Sequence, residues 1–112
     1  MKRIEAILRP SKAGAVVEAL EKTGHPGLMI SEIEGHGKQK GVEQVVRGKK
    51  YKVDLLTKTR IEVVVKDDDV EKMLSAIQKA AYTGEIGDGK VFVHPVEDAL
   101  RVRTKERGEA AV

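Results

Sequence analysis

The chain has 112 residues, enough for one domain with a modest core. Hydrophobic residues make up 40%, charged residues 35%, and the lack of cysteine excludes disulfides, thiolate metal sites and a cysteine nucleophile. No apolar run approaches the ~20 residues of a bilayer span and no secretory hydrophobic region is evident, so a cytoplasmic protein is expected.

The formal charge of +3 is unevenly spread. Residues 35–60 hold eight cations (Lys38, Lys40, Arg47, Lys49, Lys50, Lys52, Lys58, Arg60) against Glu43 and Asp54, a local +6 that leaves −3 elsewhere. Such an excursion fits an anionic partner or a lysine-rich solvated loop, and charge alone does not separate the two.

In chain order, Arg3 to Leu8 alternates with Ile4, Ala6 and Leu8 on one face, which predicts a strand. Pro10 and Ser11 open a helix whose Ala13, Val16, Val17 and Leu20 form one apolar stripe. Gly24 is placed to end it in the left-handed conformation, and Pro26 prevents continuation. Leu28 to Glu34 predicts a second strand. From Gly35 to about Leu56 neither period holds, and a connection of that length is characteristically functional or disordered. Arg60 to Val65 is a third strand, with Ile61, Val63 and Val65 on one face. One of Asp67, Asp68 and Asp69 is expected to cap a second helix, striped by Val70, Met73, Leu74 and Ile77. Val91 to His94 gives the last full strand, and Leu100 to Arg103 a further extended piece.

Strand–helix–strand, long loop, strand–helix–strand predicts a ferredoxin-like α+β sandwich of βαββαβ order. Two helices cover one sheet face. The other face, with apolar positions such as Val64, is most simply covered by self-association.

Gly84-Glu85-Ile86-Gly87-Asp88-Gly89-Lys90 matches the spacing of a P-loop, but Val91 stands where Ser or Thr should hold Mg²⁺ and a strand follows instead of a helix. A P-loop NTPase is rejected. Anion binding is retained, because glycines let backbone N–H groups turn outward and Lys90 adds charge. If Arg101-Val102-Arg103 is extended, its two guanidinium groups share a face about 6.7 Å apart, suited to neighbouring phosphates. Gly35-His36-Gly37-Lys38-Gln39-Lys40-Gly41 departs from the dinucleotide fingerprint at Lys40 and lacks the helix that fingerprint needs. His25, His36 and His94 lack metal-ligand spacing, and no nucleophilic triad can be assembled.

Three segments carry a resemblance that spans the chain: Met1-Lys2-Arg3-Ile4-Glu5-Ala6-Ile7-Leu8-Arg9-Pro10, Thr83 through Phe92, and Pro95-Val96-Glu97-Asp98 through Arg101-Val102-Arg103-Thr104. Together they resemble the PII nitrogen-regulatory signalling proteins. That resemblance implies a homotrimer of ferredoxin-like subunits, each a single domain over residues 1–112. It places a T-loop at about 37–55, a glycine-rich nucleotide loop at 83–90 and a C-terminal loop at about 101–109. It implies ATP or ADP between subunits, held by Gly87, Asp88, Gly89 and Lys90 with Arg101 and Arg103, and lined by Met29, Gly35, Gly37, Lys38, Gln39 and Val64. It implies Mg²⁺ shared by Gln39, the ATP phosphates and 2-oxoglutarate. The keto acid's far carboxylate would pair with Lys58, and Lys40 and Gly87 would complete that pocket. The implied targets, reached through the T-loop, are an ammonium transporter, glutamine synthetase or nitrogen-control regulators.

The sequence departs from the usual family pattern at His36, Met29 and Tyr82, where phenylalanine, threonine and arginine are frequent. Tyr51 aligns with the uridylylated tyrosine of some members, preceded here by Lys49 and Lys50, and Lys49 replaces the serine that other members phosphorylate. Two other classes fit parts of the sequence. A ferredoxin-like nucleic-acid module would use the +6 segment but lacks stacking aromatics. A slow ATPase would use Lys90, the arginines and Glu62.

Overall fold

The architecture was obtained as a computed structural model that describes residues 1–24, 27–36, 42–46, 49–53 and 55–112; for residues 36, 42–46, 49–53 and 55 it describes the backbone alone. Alternation in the first segment produces β1 (Lys2–Leu8), with Ile4, Ala6 and Leu8 turned inward and almost wholly buried. A 3₁₀ turn at Pro10–Lys12 leads into α1 (Ala13–Glu21), which buries Val16 and Leu20. The helix ends at Glu21, and in the turn that follows Gly24, with a φ of 87°, takes the chain out of the helical path.

β2 (Met29–His36) follows, then a hairpin of β3 (Val42–Val46) and β4 (Lys49–Val53), then the long β5 (Leu55–Val65). α2 (Val70–Ala81) buries Met73, Ile77 and Ala81, and β6 (Gly89–Pro95) completes the sheet. The four-stranded sheet runs β2-β5-β1-β6 with every neighbouring pair antiparallel. β1 and β2 therefore point the same way with β5 between them, which makes each half a split βαβ unit. This is the ferredoxin-like βαββαβ sandwich.

Ile61, Val63 and Val65 of β5 meet the inward residues of β1 and both helix stripes in one core. Each fully buried aliphatic side chain contributes about 1.5–3 kcal/mol relative to exposure. The opposite sheet face is polar at its centre. Arg60 donates from Nε to Ser31 Oγ at 3.2 Å and lies 3.0 Å from Glu62, while His94 Nε2 is 3.3 Å from Glu5. Ile7, Val64 and Phe92 share that face by register.

Three local expectations differ from the structure. None of Asp67, Asp68 and Asp69 caps α2 with its side chain; the Asp69 N–H donates to the Lys66 carbonyl at 3.0 Å in a 3₁₀ turn, and Asp67 receives the Met1 ammonium at 2.9 Å. The segment from 35 to 56, without a period in sequence, carries the β3–β4 hairpin in which Val42 faces Val53. Arg101 to Arg103 does not run as a strand. It lies in a turn, because Lys105 adopts φ 65° and Leu100 pairs back onto Arg107.

Candidate functional site

The glycine-rich loop between α2 and β6 is organised by its own carboxylate. Asp88 accepts from the Thr83 hydroxyl, from the Thr83 N–H at 2.8 Å, from the Gly84 N–H at 3.0 Å and from Arg9 Nε at 3.2 Å. These bonds, the Thr83 hydroxyl foremost, hold the Asp88 carboxyl well below the usual carboxylate range. The Thr83 and Gly84 N–H groups are thus taken by an internal carboxylate.

Two features fix the loop against the sheet. Arg9 Nη2 donates to the Ile86 carbonyl at 2.7 Å, and Lys58 Nζ donates to the Gly87 carbonyl at 2.9 Å. Gly89, with φ 103°, stands opposite Leu8, and a Cβ built on it would lie 1.8 Å from the Ile7 carbonyl oxygen. The approach of two strands therefore demands glycine here before any ligand does. Gly84 and Gly87 also have positive φ, at 88° and 101°.

Strand alternation puts Lys58 and Lys90 on the same, helix-free face at this end of the sheet, and Arg9, one residue past β1, reaches the same loop. Lys58 is only 9% exposed, and burial, followed by repulsion from Arg9, lowers its pKa below that of a free lysine. Gly35 lies at this end too, opposite Leu56, and a Cβ there would meet no atom of the described residues within 4 Å. Three side-chain cations thus stand beside the glycine-rich backbone, with Arg9 and Lys58 already donating to it. Arg9 was not among the residues singled out from sequence; its partners are 77 and 79 positions away.

The remaining described candidates gather elsewhere. Met29, Val64 and Arg101 line a cleft of about 800 Å³ together with Lys66, Asp98 and Val112. This cleft opens at the opposite end of the sheet, where Lys2 faces Val65 and Pro95. Six residue steps along β6, from Gly89 to Pro95, separate the two ends, about 20 Å. Arg101 pairs with Glu106 at 2.9 Å, whereas Arg103 is exposed in the same turn. One chain therefore places Lys90 and Arg101 at opposite ends of the sheet and does not bring them together.

Gly37, Lys38, Gln39 and Lys40 lie outside the described residues, as does the side chain of Tyr51. Among the described residues no three His, Cys, Asp or Glu side chains cluster as a metal site. Glu62, considered as a water-orienting group, is engaged by Arg60 on the sheet face. No described helix is long and apolar enough to cross a membrane.

The chain is a small ferredoxin-like domain with three cations and a glycine-rich loop at one end of its sheet. The family model described as "Nitrogen regulatory protein P-II" matches residues 1–106. The chain is 51% identical to the nitrogen regulatory protein P-II of Azospirillum brasilense over 112 residues, covering both chains completely. It is 52% identical to that of Cereibacter sphaeroides over the same full lengths. Against nitrogen regulatory protein P-II 2 of Methanothermobacter thermautotrophicus it is 47% identical, covering all of this chain and 97% of that one. The chain belongs to the P-II family of nitrogen-regulatory signalling proteins.

Proposed function

We propose that the chain works as a homotrimer that binds ATP or ADP between subunits, responds to 2-oxoglutarate through Mg²⁺, and transmits the result through residues 37–55. The observation that carries this reading is the division of the site. Gly87, Gly89, Lys90 and Lys58 stand at one end of the sheet; Met29, Val64 and Arg101 stand at the other. A neighbouring copy, placed end against end, supplies what each chain lacks.

In this reading the phosphates meet Lys90 and the Gly87–Gly89 backbone of one subunit and Arg101 and Arg103 of the next. Met29 and Val64 give apolar contact to the base, with Gly35, Gly37 and Lys38 completing the nucleotide cleft. Asp88 contributes through its backbone and by shaping the loop, since its carboxylate is already bonded internally. Lys58 pairs with the distal carboxylate of 2-oxoglutarate beside Gly87 and Lys40. Mg²⁺ takes oxygen ligands from the phosphates, the keto acid and Gln39, as a hard octahedral cation does. Because Gln39 lies at the base of the 37–55 segment, ligand binding there selects among its conformations, provided affinity differs between them. The targets are an ammonium transporter, glutamine synthetase or nitrogen-control regulators. Tyr51 is a candidate for uridylylation. The chain acts in the cytoplasm.

Calorimetry tests the sensor. 2-Oxoglutarate should bind appreciably only with MgATP present, and equal binding without nucleotide would refute the metal bridge. A mixing experiment tests the shared cleft. Trimers reassembled from equal parts of Lys90→Ala and Arg101→Ala chains should regain about a quarter of wild-type clefts, whereas the double variant regains none. Recovery in neither case would show that both residues act within one subunit or that neither binds nucleotide.

A further inference from the structure

The segment after β6 closes on itself. Leu100 pairs with Arg107, the Arg101 N–H donates to the Glu106 carbonyl at 2.9 Å, and the Lys105 N–H donates to the Arg101 carbonyl at 2.8 Å. Lys105, at φ 65°, turns the chain through the left-handed region that side-chain-bearing residues seldom enter. Arg107 bonds Asp98 across the base of the turn. Within it a single carboxylate oxygen, Glu106 Oε1, accepts from Arg101 Nη1 at 2.9 Å and from Thr104 Oγ1 at 2.7 Å.

Arg101 also borders the 800 Å³ cleft and is 40% exposed, so it stands where an entering anion arrives while already bonded to an acid. Carboxylate and phosphate oxygens satisfy a guanidinium in the same way, and one arginine has a limited number of donors facing one direction. Arg103 has no hydrogen bond or ion pair among the described residues, so one cation of the pair is engaged and the other is available.

We propose that Glu106 is an internal competitor for the nucleotide phosphates, holding Arg101 in a closed turn that opens when ligand takes its place. This regulation rests on the reading of Arg101 as a nucleotide contact. Arg103 makes the first contact with an incoming phosphate. Arg101 follows once Glu106 releases it, and Glu106 thereby sets the nucleotide concentration at which the cleft fills.

The test is ATP titration by calorimetry on the assembled protein in four forms: wild type, Glu106→Gln, Arg101→Ala and the double variant. Glutamine keeps the volume and an acceptor but removes the charge. Glu106→Gln is expected to bind ATP about two- to fivefold more tightly, the scale of one exposed ion pair. In the Arg101→Ala background the same change should give no gain. Thr104→Val, which removes the second bond to Glu106, should give a smaller gain in the same direction. Unchanged or weaker binding by Glu106→Gln overturns the proposal. So does a gain that persists without Arg101, since that would be a general charge effect. If no form binds ATP, wild type included, the nucleotide reading falls and the competitor with it.

Discussion

Lys58 and Gly87 are joined by a 2.9 Å hydrogen bond from the lysine ammonium to the glycine carbonyl, at the end of the sheet where Arg9 and Lys90 also stand. The lysine is largely removed from water, which disfavours its charge and lowers its pKa from the ordinary 10.5. The unfolded chain therefore holds this proton more tightly. Burying the charge costs stability at neutral pH, and that cost is relieved as pH rises toward 10.5. A carboxylate ligand reverses the balance by pairing with the ammonium. Lys58→Met is expected to weaken 2-oxoglutarate binding by tenfold or more while ATP affinity stays within about threefold. Calorimetry with each ligand checks the division, and equal losses for both would contradict it.

Asp88 gives an acid-side prediction. Its carboxyl is depressed in the folded state below the 3.8 of the unfolded chain, first by the Thr83 hydroxyl and then by the Thr83 N–H. Its contribution is fully present above the unfolded value and is lost as pH falls through 3.8 toward the folded value. Asp88→Asn should therefore lower Tm at neutral pH, and the gap from wild type should narrow steadily below pH 3.8. Thermal melts across the acid range measure it, and a gap independent of pH would mean that the loop does not depend on this charge.

The glycines separate by cause. Gly89→Ala forces a Cβ against the Ile7 carbonyl at a positive φ, and is expected to destabilise the fold by more than about 3 kcal/mol in chemical denaturation. Gly35→Ala meets no atom of the described residues and should change stability by less than about 1 kcal/mol. If nucleotide lies against Gly35, ATP affinity should nevertheless drop at least about threefold, and unchanged affinity would remove Gly35 from the cleft.

Arg9 ties β1 to the glycine-rich loop through Asp88 and the Ile86 carbonyl, with its side chain 23% exposed. Arg9→Leu keeps most of the side chain's apolar bulk but removes one of the donors to Asp88 and the side-chain donor to the Ile86 carbonyl. ATP affinity is expected to fall by about tenfold, with a smaller drop in Tm, because charge-assisted bonds hold the loop shape. Hydrogen exchange should speed at the Thr83 and Gly84 amides; unchanged exchange there would show that Asp88 holds the loop unaided.

The parts legible in the sequence were those set by local periodicity. Ile4, Ala6 and Leu8 predict β1, and Val16 and Leu20 predict the buried face of α1, because alternation and helical spacing are themselves the burial pattern. What escaped depends on partners far along the chain. Asp67 reads as a cap until the Met1 ammonium is brought beside it. Arg101 and Arg103 read as a strand because nothing nearby announces that Lys105 will turn left-handed. Arg9 precedes a proline and looks like ordinary surface charge; only the antiparallel placement of β6 beside β1 carries the loop to it. The glycine-rich motif marked the loop, but its internal ordering by Asp88, which accepts from Thr83 and Gly84, does not show in the residue pattern.

Gly89 is pressed so near to its neighbouring strand that the space admits hydrogen and nothing larger. The constraint comes from the scaffold and is indifferent to cargo. A descendant that had abandoned every small molecule would still be obliged to keep this glycine. Such a signature belongs to the architecture, and a vanished activity would leave it intact.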